Sequence, residues 1–323
     1  MQAVRTGYCT IIVQEQPTAR TIALFGINKI REKGERMQKL NFGCGKRFAP
    51  GWVNIDFHSV DPLVKRVNLL EGFPFADRSF DVVYSSHVLE HFTPQQAKFL
   101  LQEAYRVLKP QGIIRIVVPD LEDLCREYLR VLAQPDSDPE KADRYRWIVI
   151  ELLDQLVRSE TYGEMGKFYL ELNQAQTQTK NLDQDQKLKN LRKYVQDRIG
   201  EIPNTDPVSL SWSDRFKAFL PKKMGTTLSY AYLRLIAALL PPSLREMVLI
   251  QTTIGERHRW MYDTYSLGKL LEQVGFSTVE VTDHQHSNIP QFNDDRLDIN
   301  PDGSAYKTNS IYVEAIRVYS PML

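Results

Sequence analysis

The stretch "LNFGCGKRFAPGWVNIDF", residues 40–57, contains two short apolar runs that end in different polar residues. The first run closes on Gly43 and Gly45, and the second closes on Asp56. Glycine after a buried strand permits a positive φ and lets backbone N–H groups approach a ligand. In an open parallel sheet, ligands bind beyond the carboxyl ends of the strands. A carboxylate at the end of the second strand is suited to accept both hydroxyls of a ribose.

Strand and helix patterns alternate outward from this stretch. The runs "VKRVNLL" (64–70), "FDVVYSSHV" (80–88) and "IIRIVVPD" (113–120) are typical of strands. Between the last two, "TPQQAKFLLQEAYRVLKPQG" (93–112) predicts a helix with Thr93 as its N-cap and Pro94 in its first turn. Lys109, Pro110 and Gly112 are expected to end it.

The alternation stops after residue 120 and resumes near residue 256. Residues 121–255 show helical periodicity without strand-like runs. Beyond them, "YSLGKLLEQVGF" (265–276) predicts a helix, and "STVEVTD" (277–283) and "SIYVEAIRVYS" (310–320) predict two strands that pair antiparallel at one edge. We therefore predict a doubly wound, mostly parallel α/β domain built from residues 37–120 and 256–323. The segment 121–255 is a helical insertion that we expect to cover the substrate.

Residues 1–36 precede the first strand and are treated as an N-terminal extension. Two alternatives remain open for them. The letters "KGER" directly before Met37 are consistent with a translated ribosome-binding sequence, which would make Met37 the native start. The other alternative is an N-terminal helix that packs on the core.

Composition excludes several classes of protein. The formal net charge is +1, so no nucleic-acid partner is expected. The three cysteines lie far apart without a CxxC pair, which favours a reducing compartment, and we predict a cytoplasmic protein. The most apolar helical stretch lies within residues 225–250, and it is too short to span a bilayer. It predicts either a helix that packs on the core or roofs the acceptor pocket, or a weak membrane-surface contact or partner interface. The sequence does not indicate an oligomeric state.

The ordered motifs resemble those of class I S-adenosylmethionine-dependent methyltransferases. The resemblance is carried by "LNFGCG" (40–45), "FPFADRSFDVVYSSHVLEHF" (73–92) and "EAYRVLKPQGIIRIVVPD" (103–120). Through "RHRWMYDTYSLGKLLEQVGF" (257–276) and "NPDGSAYKTNSIYVEA" (300–315), the chain also resembles a bacterial subgroup linked to surface polysaccharide synthesis. The resemblance implies a Rossmann-like, seven-stranded sheet with its last strand antiparallel, and S-adenosylmethionine as the cofactor.

The same resemblance implies a role for individual residues in binding that cofactor. The loop of Gly43, Cys44 and Gly45 would contact the methionine part, and Asp56 would accept the ribose hydroxyls. Asn68 and Leu69 would flank the adenine, and Ser86 would contact the methionyl amino group. The sequence departs from the family pattern at Asn68, where many members have aspartate, and at Arg47, which replaces a third glycine.

The implied activity is methyl transfer, by in-line displacement, to a hydroxylated small molecule or to a sugar or glycan precursor. A hydroxyl acceptor must lose its proton, and histidine suits that role near neutral pH. His87 is the first candidate and His258 the second. A catalytically silent S-adenosylmethionine-binding module is the alternative.

"HVLEH" (87–91) also spells H-x-x-E-H, a zinc-peptidase pattern. That motif needs a helix long enough to present both imidazoles, whereas here it follows a strand directly and is soon followed by Pro94. We therefore predict no metal, and a zinc hydrolase that uses His87, Glu90 and His91 remains a further alternative.

Overall fold

The computed structural model describes residues 37–57, 59, 61–158, 162–178, 182–200, 202 and 257–318. The predictions made for residues 1–36 and 225–250 lie outside the described residues.

Seven strands in the described part of the chain form one mixed sheet. They are β1 (Lys39–Phe42), β2 (Val53–Asp56), β3 (Val64–Arg66), β4 (Phe80–Ser86), β5 (Leu108–Pro119), β6 (Phe276–Thr282) and β7 (Ser310–Arg317). Their order across the sheet is β3-β2-β1-β4-β5-β7-β6. Strands β1 to β5 run parallel, and β7 pairs antiparallel with both β5 and β6. This arrangement confirms the predicted doubly wound sheet with an antiparallel last strand.

Six helices accompany these strands in the described residues. They are α1 (Pro94–Val107), α2 (Leu121–Leu132), α3 (Lys141–Val157), α4 (Gly163–Gln178), α5 (Leu182–Ile199) and α6 (Thr264–Val274). None of the described helices is both long and apolar enough to cross a membrane.

Helix α1 illustrates how local sequence sets the element boundaries. Thr93 Oγ1 accepts from the Gln96 backbone N–H at 3.3 Å, and Gln96 Oε1 accepts from the Thr93 N–H at 3.1 Å. This reciprocal capping box confirms Thr93 as the N-cap. The helix ends at Val107, and β5 begins at once, because Pro110 disfavours a helical conformation at Lys109.

Apolar layers cover both faces of the sheet. One layer includes Leu100 and Leu101 of α1 with Leu267 and Leu271 of α6, all fully buried. The layer on the other face contains Trp52, Tyr84 and Phe292 with residues of β5 and β7. Because both faces are covered, β4 and β5 are almost continuously buried, as expected for central parallel strands.

The described part of the 121–255 segment is helical. It consists of α2 to α5, and Trp147, Phe168 and Val195 form part of an apolar cluster separate from the two sheet layers. At its base, the Leu121 N–H donates to the Tyr262 carbonyl at 2.9 Å, and Asp120 forms a parallel bridge with Tyr262. The chain therefore leaves and re-enters the sheet domain at neighbouring positions.

A buried ionic group, which we call the Arg115 cluster, fastens the loop between β6 and β7 to the sheet. Arg115 is 0% exposed; its Nε donates to Asp298 Oδ2 and its Nη1 to Glu314 Oε1, both at 2.7 Å. Tyr84 Oη donates to Asp298 Oδ1 at 2.5 Å. Further bonds run from Arg115 to Thr282 Oγ1 and to the Asp283 carbonyl. Every charge in the cluster has a partner.

Candidate active site

The loop after β1 is shaped by two glycines with positive φ. Gly43 has φ +65°, and its N–H donates to the Ile55 carbonyl at 2.8 Å. A Cβ added at Gly43 would lie 2.4 Å from Val88 Cγ2. Glycine is therefore required here both for the backbone conformation and for the close approach of Val88.

Gly45 faces open space and lies beside Asp56. It has φ +52°, and a Cβ added there would meet no atom of the described residues within 4 Å. Its N–H donates to Asp56 Oδ2 at 2.9 Å. The structure thus brings the predicted loop and carboxylate together in an open rim, which we call the Gly45–Asp56 rim. Backbone N–H and carboxylate groups lie side by side on this rim, a pairing that fits the ribose end of S-adenosylmethionine.

Cys44, between the two glycines, is a packing residue. The side chain is buried, and burial together with the charge of Asp56 raises the pKa of its thiol to about 12. The thiol therefore stays protonated near neutral pH and is a poor nucleophile.

The predicted adenine and amino-group contacts lie on two other strand ends. Asn68 caps the 3-10 turn Leu69–Glu71, where its Oδ1 accepts from the Leu70 N–H at 3.2 Å and its Nδ2 donates to Glu71 at 2.8 Å. The Leu69 side chain is 5% exposed and belongs to the core, so only its backbone is available to a ligand. Ser86 ends β4 and is partly exposed.

His87 follows Ser86 with a positive φ of +54° and has a defined tautomer. Its Nε2 lies 2.9 Å from Ser310 Oγ, and that hydroxyl donates to the Thr308 carbonyl at 3.0 Å. Because the Ser310 proton is committed, Nε2 must be the donor, and the lone pair of neutral His87 is on Nδ1. Burial and the charge of Lys307 hold the pKa of His87 well below its usual range.

The H-x-x-E-H residues do not form the helix that a zinc peptidase requires. Residues Leu89–His91 make a single 3-10 turn, and His87 precedes it. The two imidazoles of the motif are therefore not presented from one helix face, and this hydrolase alternative has no support in the described residues.

Glu90, on that turn, is a fully buried carboxylate. It is 0% exposed, and within the described residues neither of its oxygens accepts a hydrogen bond. The neutral His87 ring lies beside it, with Nδ1 3.4 Å from Glu90 Oε1. Burial raises the pKa of Glu90 to about 8. The hydroxyl of Tyr262, which is 2% exposed, likewise has no hydrogen-bond partner among the described residues.

His258 is brought to Glu90 by backbone pairing. The Glu90 carbonyl accepts from the N–H groups of Arg259 at 2.7 Å and Trp260 at 3.2 Å. This pairing places the His258 ring 5.0 Å from that of His91, centroid to centroid. One potential ligand atom each from Glu90, His91 and His258 lie within 4.8 Å of one another. We call these three residues the Glu90 cluster.

Sequence patterns indicated the residues in and around the Glu90 cluster one at a time, not as a group. His87 and His258 were selected as bases, and Glu90 and His91 belonged to the zinc motif, but no local pattern joins them. Tyr262 has no signal in the sequence beyond being one of several aromatic residues near "RHRWMY". The partnership depends on the backbone pairing of Glu90 with Arg259, which spacing does not reveal.

Residues 40–116 match the family model described as a methyltransferase domain. Among curated proteins, an uncharacterized methyltransferase of Synechocystis sp. is 41% identical over 49 residues. That stretch covers 15% of this chain and only 23% of the Synechocystis protein.

Two solved structures show distant likeness. A methyltransferase of Burkholderia thailandensis with bound S-adenosylhomocysteine is 17% identical, covers 32% of this chain and 54% of its own, and has a TM-score of 0.23. A SAM-dependent methyltransferase from Archaeoglobus fulgidus is 11% identical, covers 91% and 94%, and has a TM-score of 0.33. Likeness at these values says nothing about substrate. The family-model match, in contrast, confirms over residues 40–116 the methyltransferase domain that the ordered motifs predicted.

Proposed function

We propose that the chain is an S-adenosylmethionine-dependent methyltransferase that acts on a hydroxylated small molecule or on a sugar or glycan precursor. The observation that carries the proposal is the Gly45–Asp56 rim, because it lies within the residues that match the methyltransferase family model. The preference for a sugar or glycan acceptor rests on the resemblance to the polysaccharide-linked subgroup.

The cofactor would lie along the carboxyl ends of β1, β2 and β4. In this proposal, Asp56 accepts the ribose hydroxyls, and the loop Gly43–Cys44–Gly45 contacts the methionine part. Asn68 and the backbone of Leu69 lie at the adenine end, and Ser86 contacts the methionyl amino group. These roles agree with the positions of the residues at adjacent strand ends of one sheet.

When bound, S-adenosylmethionine supplies a methyl group on a positively charged sulfur. The acceptor oxygen forms the new C–O bond while the C–S bond breaks, the sulfur keeps the electron pair, and the oxygen loses its proton. The protein must therefore hold oxygen, methyl carbon and sulfur in line and exclude water, and such orientation supplies on the order of 7–11 kcal/mol in good cases. We propose that the insertion 121–255 covers the acceptor for this purpose.

His87 is the proposed acceptor of the hydroxyl proton. Its Nδ1 carries the lone pair because Nε2 donates to Ser310, and its side chain is 21% exposed. His258, 5% exposed, is the second candidate. It is less exposed than His87.

The proposed cofactor site is tested by calorimetric titration of S-adenosylhomocysteine into the wild type and Asp56→Asn. Loss of a charged acceptor of two hydroxyls typically costs about 1.5–3 kcal/mol, so we expect affinity to fall roughly 10- to 150-fold. Asp136→Asn is the matched control, because that carboxylate is 98% exposed and its loss should leave the affinity unchanged. Equal affinities in wild type and Asp56→Asn would contradict the proposed ribose contact.

Turnover separates an enzyme from the silent binding module. Methyl transfer from labelled S-adenosylmethionine would be measured with a panel of sugars, sugar nucleotides and small hydroxylated metabolites. We expect His87→Gln to lower kcat while the affinity for S-adenosylhomocysteine stays within about twofold of the wild type. Binding without transfer to any hydroxylated acceptor would favour the silent module.

We propose that the protein acts in the cytoplasm and without a nucleic-acid partner. A cytoplasmic site of action is supported by three widely spaced cysteines without a CxxC pair, and the net charge of +1 gives no support for a nucleic-acid partner. Weak membrane-surface contact through residues 225–250 stays a prediction.

A further inference from the structure

We propose that Glu90, His91 and His258 bind a divalent transition-metal ion, for which Zn²⁺ is the best match. This differs from the sequence-based expectation of no metal. It also differs from the zinc-peptidase motif, because His258 replaces His87 in the ligand set.

The donor atoms have suitable chemistry and spacing. One carboxylate and two imidazoles form the His₂Glu set found in catalytic zinc sites. Their ligand atoms lie within 4.8 Å of one another. Ligands about 2.0–2.2 Å from one tetrahedral ion are separated by roughly 3.3–3.6 Å, so binding would draw these atoms together by at most about 1.5 Å.

Glu90 supplies the second, independent observation. It is 0% exposed, and within the described part of the chain both of its oxygens lack hydrogen bonds. A buried carboxylate is costly unless it is paired or coordinates a metal. The Tyr262 hydroxyl has the same unmet need and can bond to a ligand of the ion. An ion at this position would satisfy the carboxylate.

A surrounding hydrogen bond orients the His91 imidazole as in known metal sites. His91 Nδ1 lies 3.2 Å from the Arg257 carbonyl, which can only accept, so Nδ1 carries the proton and Nε2 carries the lone pair. A metal-ligating histidine usually donates its other N–H in this way. His258 is held by the pairing of Arg259 and Trp260 with the Glu90 carbonyl. The backbone therefore positions two of the three ligands relative to each other.

Two other cations compete for the same carboxylate. Lys307 is half-buried, and its positive charge lowers the pKa of Glu90. Among the described residues, however, its ammonium group lies within 4.0 Å of no carboxylate oxygen. The second is a proton shared between Glu90 Oε1 and His87 Nδ1, which lie 3.4 Å apart. Neither competitor employs His258, so dependence on His258 distinguishes the metal from both.

The role of the ion rests on the proposed function. Three protein ligands leave a fourth position open for a substrate oxygen, and a bound metal lowers the pKa of a coordinated O–H group. Val88, which fills the space beside Gly43, lies two residues before Glu90 and so links the Glu90 cluster to the cofactor loop. We infer that the acceptor binds through a hydroxyl oxygen coordinated to this ion.

The experiment is a Zn²⁺ titration of the full chain after chelator treatment, with metal content measured after dialysis. We expect one Zn²⁺ per chain in the wild type, and an affinity at least about 10- to 100-fold lower in Glu90→Gln and in His258→Asn, since removing a ligand costs no less than removing its supporting group. Mn²⁺ and Mg²⁺ should bind more weakly, because imidazole prefers zinc. His286→Asn is the control. That ring is 77% exposed and pairs with Asp283 in its own loop, so the variant should bind like the wild type.

Absence of bound Zn²⁺ in the wild type, or an unchanged affinity in both variants, would overturn the proposal. Far-ultraviolet circular dichroism verifies that each variant is folded, and the two substitutions lie on different segments, so one folded variant suffices. Affinity for S-adenosylhomocysteine is measured in parallel. Zinc binding without cofactor binding would refute the proposed function and leave the metal site standing, and the reverse result would refute only the metal site.

Discussion

The Arg115 cluster and the Glu90 cluster are both buried and both contain ionisable side chains, but their bonding differs. Arg115 is surrounded by Asp298, Glu314 and backbone carbonyls at hydrogen-bond distance. Glu90 is equally buried, and its oxygens have no hydrogen bond among the described residues. Buried polar groups are almost always paired, so each exception requires an explanation. The first cluster is complete without a ligand, whereas the second is complete only with one.

The largest loss of stability should follow from removing the guanidinium group of the Arg115 cluster. Arg115→Met leaves Asp298 and Glu314 as uncompensated buried charges, and removing one partner of a buried ion pair typically costs about 3–5 kcal/mol. Urea unfolding should show that loss in the free energy of unfolding. Lys269→Met is the control, because its pair with Glu272 is exposed and its removal should not shift the unfolding midpoint. A midpoint equally unmoved in Arg115→Met would mean that the cluster contributes little to stability.

The next largest effect is the stabilisation of the protein when Zn²⁺ binds the Glu90 cluster. Zn²⁺ at about 100 times its Kd should stabilise the wild type by roughly 2.7 kcal/mol, provided that it binds only the folded state. The same addition should stabilise Glu90→Gln by only about 0.4–1.4 kcal/mol if its affinity is 10- to 100-fold lower. Thermal unfolding with and without Zn²⁺ measures both, and equal shifts in the two proteins would indicate binding elsewhere.

Two buried tyrosines, Tyr84 and Tyr262, allow the two clusters to be compared through the same type of substitution, tyrosine to phenylalanine. Tyr84 donates to Asp298 at 2.5 Å, whereas Tyr262 has no partner within the described residues. Hydrogen bonds to charged groups contribute about 1.5–3 kcal/mol, so Tyr84→Phe should lower the free energy of unfolding by that amount. Tyr262→Phe loses no hydrogen bond and removes an unpaired buried hydroxyl, so it should leave the free energy of unfolding of the metal-free protein unchanged or higher. Similar losses in the two variants would show that Tyr262 has a partner after all.

The smallest effect is expected for Glu90→Gln without metal. With its pKa raised to about 8, Glu90 is mostly protonated near pH 7, so the neutral amide nearly matches it in shape and charge, and no hydrogen bond of the side chain is lost. The free energy of unfolding should stay within about 1 kcal/mol of the metal-free wild type. A loss near that of Arg115→Met would show that Glu90 is paired in the native protein, and the contrast between the clusters would disappear.

Local patterns predicted most of the fold. The strand runs, the Thr93 capping box and the Gly43–Gly45 loop depend on neighbours within a few residues, so the sequence displays them directly. Asp56 was predictable for the same reason, since it ends the strand next to β1. The Arg115 cluster was not, because Arg115 meets Asp298 across 183 residues and Glu314 across 199.

The Glu90 cluster shows a different limit. The H-x-x-E-H pattern contains two of its three residues, yet the third is joined through backbone pairing of Glu90 with Arg259, far along the chain. The pattern also implies a helix, and the structure has a 3-10 turn there. Residue types were informative in this region, but their geometry depends on where the chain returns after the insertion.

That return point has a consequence for how such chains can vary. Leu121 leaves the sheet domain hydrogen-bonded to Tyr262, the residue at which the chain comes back, so the two ends of the intervening segment are already joined. The entropy cost of closing a loop grows only with the logarithm of its length. Segments of very different size can therefore be exchanged between these two points while the sheet and the Gly45–Asp56 rim stay as they are. Such an exchange would be a direct route to new acceptors on an unchanged cofactor domain.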